Sequence, residues 1–367
     1  MAHGKTTDKI GTAPLSAPSG WASVDLSDSK LLWTGRLDSH HPIFSWTGSR
    51  LHLRFQGHGV RFHFASLGDS RMVGIHRNFY NLFIDGDSSI HPVSKEEREI
   101  AAEELPDGEH DVVLEKASEA LCGRDRLVDI ELLDGRLLPT PRPSRSLLFL
   151  GNSITAGYGV EAEDSKESFS PETQNGMDSY AGVCARLLGA ERVQICISGR
   201  GLVRNFDGTT ELTLPNFYAS TAPQDARPWK GQENPDAVVM EIGTNDFFRG
   251  DPGQLPFVLA YQTLVKDLLN RYPKAKIVLL DSPMLTNDFP IDTATDRPIA
   301  SFSQLRFYLD QVPMGFTESQ RRRISVFQQS QQCQEVLGTG ADNHPNRAQA
   351  ELNGEELAKH LRSVLGW

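Results

Sequence analysis

From Leu31 to about Leu138 the chain alternates apolar and polar residues with a period of two, the pattern of half-buried β-strands. Leu51-His52-Leu53-Arg54-Phe55 and Val60-Arg61-Phe62-His63-Phe64 alternate strictly, and the residues between them, Gln56-Gly57-His58-Gly59, predict a hairpin loop. Further strands are expected over Asn81–Ile84, Asp111–Leu114 and Leu127–Leu132, with turns at Asp85-Gly86 and Pro106-Asp107-Gly108. A short helix is expected over Lys95–Glu104. Many short strands with regular turns predict an all-β sandwich or jelly roll over residues 21–138, preceded by a loose tail over 1–20.

The pattern breaks at Leu138-Pro139-Thr140-Pro141-Arg142-Pro143-Ser144. Alternating prolines favour a stiff, extended connection, so 139–145 reads as a linker. Over 146–367 strand-like runs alternate with helical stretches. The strands are expected at Ser146–Leu150, Val193–Ile197, Ala237–Ile242, Lys276–Leu280 and Ile324–Phe327. The helices are expected at Tyr180–Leu188, Leu255–Arg271 and Arg347–Leu365. This order predicts a three-layer α/β domain, a parallel sheet covered by helices on both faces.

Charge narrows the partners. The 367 residues carry 48 acidic and 37 basic side chains, a formal charge of −11, which argues against nucleic-acid and anionic-membrane partners. Cys122, Cys184, Cys196 and Cys333 are widely spaced and suggest neither a zinc site nor a disulfide framework. The amino terminus lacks the apolar core of a secretory leader, so the reading is cytoplasmic, or extracellular if a leader has been removed.

Candidate chemistry sits at the strand ends. The run Leu147–Leu150 stops at Gly151-Asn152-Ser153, which puts a serine hydroxyl on the turn at the carboxyl end of a strand, where open α/β sheets bind ligands. A serine needs a base to become a nucleophile. Nine of the eleven histidines precede residue 111, leaving His344 and His360 in the second half. His360 falls inside the last helix, so His344, in Asp342-Asn343-His344-Pro345, is the candidate base. An oxyanion requires fixed donors, and the N–H groups of Ser153 and Gly199 with the side-chain amide of Asn245 can supply them. Gly199 lies in Ser198-Gly199-Arg200-Gly201, where Gly201 is the rival glycine; Asn245 lies in Gly243-Thr244-Asn245-Asp246. Asp342 is the candidate orienter of His344. Asn152, Trp229, Phe217, Tyr218 and Phe247 are candidates to face the substrate, the aromatic ones by stacking on a sugar ring. The histidines of the first half, among them His40-His41, His52, His58 and His63, read as scattered surface residues rather than a metal site.

These four blocks resemble the SGNH, or GDSL, hydrolases, whose marker residues map onto Ser153, Gly199, Asn245 and His344. The resemblance implies a flavodoxin-like fold for 146–367. The whole chain looks like carbohydrate esterase family 2, in which a β jelly roll precedes the hydrolase domain; Ser198–Leu202, Arg204-Asn205, Tyr180, Pro235-Asp236 and the closing Gly366-Trp367 are similar. It implies removal of acetyl groups from polysaccharides such as xylan or mannan, without metal or organic cofactor. Two departures stand out. Asn152 replaces the usual aspartate before the serine, and Ala341 occupies the position three residues before the histidine where the wider family places its orienting aspartate. Some members of the smaller family use a Ser–His dyad oriented by a backbone carbonyl. The expectation is therefore a Ser153–His344 dyad with Asp342 as orienter through side chain or backbone. A general short-chain esterase or lipase, or a non-catalytic carbohydrate-binding protein, are the alternatives.

Overall fold

The structure, a computed structural model, describes residues 20–37, 41–72, 74–288, 290–292 and 297–367. The tail 1–19 and His40 lie outside the described residues.

The first part is two antiparallel sheets packed face to face. One runs Trp21–Ser23, Asp125–Leu133, Gly59–Ser66, Glu99–Ala102; the other runs Arg136–Leu138, Arg50–Gly57, Gly108–Lys116, Asn78–Ile84, Asp87–Val93. Alternation drives the packing. Leu51, Leu53 and Phe55 from one sheet and Val60, Phe62 and Phe64 from the other all enter one buried core with Tyr80, Leu114 and Ile130.

The expected hairpin at Gln56–Gly59 is corrected by this arrangement. The flanking strands do not pair; Arg50–Gly57 pairs with Gly108–Lys116, and Gly59–Ser66 with Asp125–Leu133. The chain switches sheets at Gly57, whose φ is 156° and where a Cβ would stand 2.8 Å from Leu133 O. Alternation reveals which side chains face the core, not which strand is the neighbour. The helix expected over Lys95–Glu104 is also absent. Ser94 Oγ accepts from the Glu96 and Glu97 N–H groups to form a turn, and Glu99–Ala102 is an edge strand that buries Ile100 against the core.

Residues 139–144 are irregular, and Arg145–Gly151 opens a five-stranded parallel sheet. Its order is Ala190–Cys196, Arg145–Gly151, Ala237–Glu241, Lys276–Leu280, Ile324–Phe327. Leu147, Phe149, Val239 and Leu280 pack on one face, and Leu148, Leu150, Met240 and Leu279 on the other, so the central strands read as unbroken apolar runs. Helix Tyr180–Leu188 is capped by Ser179 Oγ on the Gly182 N–H and stops at Gly189 with φ 59°. Helix Arg347–Leu365 is capped by Asn346 and stops at Gly366 with φ 71°. Helices Gln254–Arg271 and Ser301–Gln311 complete the layers, the second of them unanticipated. The strand order reverses direction between Arg145–Gly151 and Ala237–Glu241, which opens a crevice at their carboxyl ends.

Candidate active site

Ser153 begins a one-turn helix, Ser153–Ala156, directly after the central strand. Asn152 caps it, its Oδ1 accepting from the Ile154 N–H at 2.9 Å. Gly151 has no room for a side chain, since a Cβ there would lie 2.1 Å from Thr155 Oγ1. The serine is thus held rigidly and is only 6% exposed.

His344 reaches it from the other end of the chain. Ser153 Oγ–H donates to His344 Nε2 at 2.8 Å. On the far side of the ring, Nδ1–H donates to the Ala341 carbonyl at 3.2 Å, which selects the tautomer that leaves Nε2 free to accept. Burial pushes the imidazole down to about 4, against smaller upward pulls from the Ala341 carbonyl and Asp342. At neutral pH the ring is therefore a neutral base.

The Asp342 carboxylate does not bond the imidazole. Its Oδ2 accepts from Tyr158 Oη at 2.7 Å and from the Phe169 N–H at 3.1 Å. The hydrogen-bonded orienter is the Ala341 backbone, at the position where the aspartate of the wider family is missing. Asp342 and Asn343 both adopt left-handed backbones, φ 48° and 61°, which turns the loop so that Ala341 O and Nδ1 meet. Tyr158 stacks on the imidazole with ring centroids 4.1 Å apart and planes at 26°. Tyr158 belongs to the first motif, yet only its 184-residue separation from Asp342, closed in space, reveals its place.

The candidate oxyanion donors gather at the neighbouring strand ends. Gly199 has φ 75°, and its N–H has no partner among the described residues. Gly201 is small for a different reason: a Cβ would lie 1.9 Å from Arg204 O and 2.5 Å from Asp246 Oδ2. Asn245 Nδ2 donates one N–H to Arg200 O at 2.9 Å, leaving the other for the site. Asp246 is buried and accepts from the Leu202, Val203 and Arg204 N–H groups, fixing the loop; burial nonetheless raises it to about 6. Burial pushes Glu241 up to about 8, against the Thr244 hydroxyl, which donates to it at 3.1 Å, and the neighbouring Asn152 amide, both of which lower it.

Three substrate-facing expectations are corrected. Asn152 is wholly buried and serves the serine turn. Phe247 is 0% exposed, packed against Phe257 and Tyr308, and Phe217 is buried against Trp46. Tyr218 bonds Asp267 Oδ2, and Trp229 follows the hairpin Ser220–Ala222 and Asp225–Pro228, with its backbone N–H on Ala219 O and its ring over Gly231. The aromatic residue beside Gly199 is instead Phe206, whose ring meets Phe248 edge-to-face at 6.0 Å; each of the two is 48% exposed. Phe169, whose ring packs on Tyr158, also lines a cleft of about 450 Å³ with Arg77, Phe79, Glu97 and Glu172. His52 and His63, expected on the outward face, pair there with Asp111 and Glu131. His360, in the last helix, stacks on Phe327 at the end of the strand Ile324–Phe327.

Comparison with known proteins places these features in company. Residues 33–141 match the family "Carbohydrate esterase 2 N-terminal", and residues 149–352 match the "GDSL-like Lipase/Acylhydrolase family". The cellulase/esterase CelE of Acetivibrio thermocellus is 29% identical over 352 residues, covering 94% of this chain; the chain spans 40% of the length of CelE. An acetylxylan esterase/glucomannan deacetylase of Cellvibrio japonicus is 30% identical over 265 residues, covering 71% of this chain and 68% of that one. Among solved structures, a family two carbohydrate esterase from Clostridium thermocellum in complex with cellohexaose superposes with TM-score 0.81 at 29% identity, covering 92% of this chain and 99% of that one. A family two carbohydrate esterase from Cellvibrio japonicus superposes with TM-score 0.80 at 25% identity, covering 95% and 99%.

Proposed function

The chain belongs to the GDSL-like lipase and acylhydrolase family, with a carbohydrate esterase 2 N-terminal region before it, and from this we propose that it is a serine esterase that removes O-acetyl groups from carbohydrate. The observation that carries the reading is the 2.8 Å contact between Ser153 Oγ and His344 Nε2.

Ser153 Oγ attacks the acetyl carbonyl carbon while His344 Nε2 takes its proton. The resulting imidazolium keeps its Nδ1–H on the Ala341 carbonyl. The oxyanion sits against the Ser153 and Gly199 N–H groups and the free Asn245 N–H. The bond from carbonyl carbon to sugar oxygen then breaks, and His344 returns the proton to that oxygen. Water attacks the carbonyl carbon of the acetyl-serine, losing a proton to His344; the bond to Ser153 Oγ breaks, His344 returns the proton to Oγ, and acetate leaves.

The substrate class follows from the relatives together with the surroundings of the site. Phe206 stands beside Gly199 and is 48% exposed, an aromatic surface suited to the apolar face of a sugar. The cleft beside Phe169 gives room for neighbouring sugars of an oligo- or polysaccharide such as xylan or mannan. The test is acetate release from acetylated xylan and acetylated glucomannan against release of fatty acid from a triglyceride. The account expects kcat/KM for the polysaccharides to exceed that for the lipid ester; the reverse order would make the protein a general esterase.

A further inference from the structure

The oxyanion loop is held from outside its own domain. Glu119 belongs to the β-rich first part of the chain, directly before the short turn Ala120–Cys122, and is 0% exposed. Its Oε2 accepts from the Ser198 N–H at 2.9 Å. Its Oε1 accepts from Gln174 Nε2 at 3.3 Å, and Gln174 Oε1 in turn accepts from the Glu119 N–H at 2.8 Å. Lys116 Nζ donates to the Glu119 carbonyl at 3.0 Å and to the Ser118 carbonyl at 3.0 Å. The carboxylate is thus held by two hydrogen bonds, and the Glu119 peptide N–H and carbonyl are held by Gln174 and Lys116.

The bond to Ser198 matters because of the turn it enters. The Arg200 N–H closes on Ile197 O at 3.3 Å, and Gly199 supplies the positive φ such a turn requires at its third residue. Of the three N–H groups in that turn, Arg200's is spent on Ile197 and Ser198's on Glu119. Gly199's alone stays free to face the reaction centre. A buried carboxylate accepting a backbone N–H makes a strong, directional bond, which suits it to fix a peptide plane.

We propose that Glu119 is a positioning residue of the β-rich part, which sets the Gly199 N–H toward the oxyanion by holding the Ser198 N–H. The first part of the chain then completes the catalytic centre rather than being an appendage to it. This rests on the esterase reading above for its catalytic consequence, and on the hydrogen bonds alone for its structural one.

The test compares Glu119→Asp, Glu119→Gln and Arg36→Ala with the wild-type full chain. Glu119→Asp keeps the charge and withdraws the acceptor by one methylene; kcat for 4-nitrophenyl acetate should fall about 10-fold with KM within about 3-fold, since misplacing a donor removes transition-state binding. Glu119→Gln keeps the reach and an acceptor oxygen and should stay within about 3-fold of wild type. Arg36 bridges the two parts elsewhere, to Glu233 and the Ser220 carbonyl, so Arg36→Ala should lower Tm without lowering kcat. Equal kcat for Glu119→Asp and wild type would overturn the proposal, as would kcat tracking Tm across all the variants. Hydrogen exchange at residues 197–200 supplies a readout independent of turnover. If the wild type hydrolyses no ester, the esterase reading fails, but faster exchange of the Ser198 amide in Glu119→Asp still supports the clamp and unchanged exchange still overturns it.

Discussion

The Tyr158 ring stacks on the His344 imidazole, centroids 4.1 Å apart and planes inclined at 26°, and its hydroxyl is tied to Asp342. The carboxylate nearest the base therefore acts on the wall of its pocket, and the base is oriented by the peptide of Ala341.

A carboxylate that orients a catalytic histidine typically costs about 10⁴-fold in kcat when replaced by its amide. Asp342→Asn should cost less than about 10-fold here, because the amide oxygen still accepts from Tyr158 or the Phe169 N–H. Steady-state kinetics of the variant decides this; a loss on the scale of a true triad would return Asp342 to the imidazole.

Tyr158→Ala should lower kcat about 2- to 10-fold, the worth of one aromatic stack, while Tyr158→Phe keeps the stack and loses only the tether to Asp342. The order Tyr, then Phe, then Ala is the expected result. An alanine variant as active as wild type would remove the ring from the account.

The pH dependence follows from His344. Burial holds its pKa at about 4 in the folded protein against 6.5 for an ordinary histidine, so the folded state binds fewer protons between these values. Its contribution to stability is full above pH 6.5 and is lost as pH falls toward 4. For activity, the acid limb of kcat/KM should have its midpoint near 4, and a midpoint near 6.5 would show the base to be solvated. Glu241 works in the opposite sense: raised to about 8, its contribution is present at low pH and is lost as pH rises through 8.

Asn152 is explained by the same carboxyl. Asn152→Asp restores the commoner motif but sets a second acid beside buried Glu241, so it should destabilise the protein by about 1–3 kcal/mol at neutral pH, less at pH 5. Thermal unfolding at the two pH values measures it. A rise in Tm at pH 7 would contradict this reason for the asparagine.

Much of this was legible in the sequence where local pattern suffices. Buried parallel strands announce themselves as apolar runs, and the scarcity of histidine after residue 111 isolated His344. Contacts between distant segments were not legible. Glu119 and Ser198 are 79 residues apart, and nothing local in either marks the bond. Phe247 ends a short helix and Phe248 follows it, the same residue type, yet one is 0% and the other 48% exposed; packing of Phe247 against Phe257 and Tyr308 sets it apart. The strands at 50–57 and 59–66 share one alternation, and the sheet switch between them depends on a single glycine.

The central claim is that Ser153 is the nucleophile. Hydrolysis of 4-nitrophenyl acetate by wild type and by Ser153→Ala, with Tm measured on both, tests it most directly. The account predicts a loss of at least about 10³-fold in kcat with an unchanged Tm. Turnover by the alanine variant at the wild-type rate would contradict it.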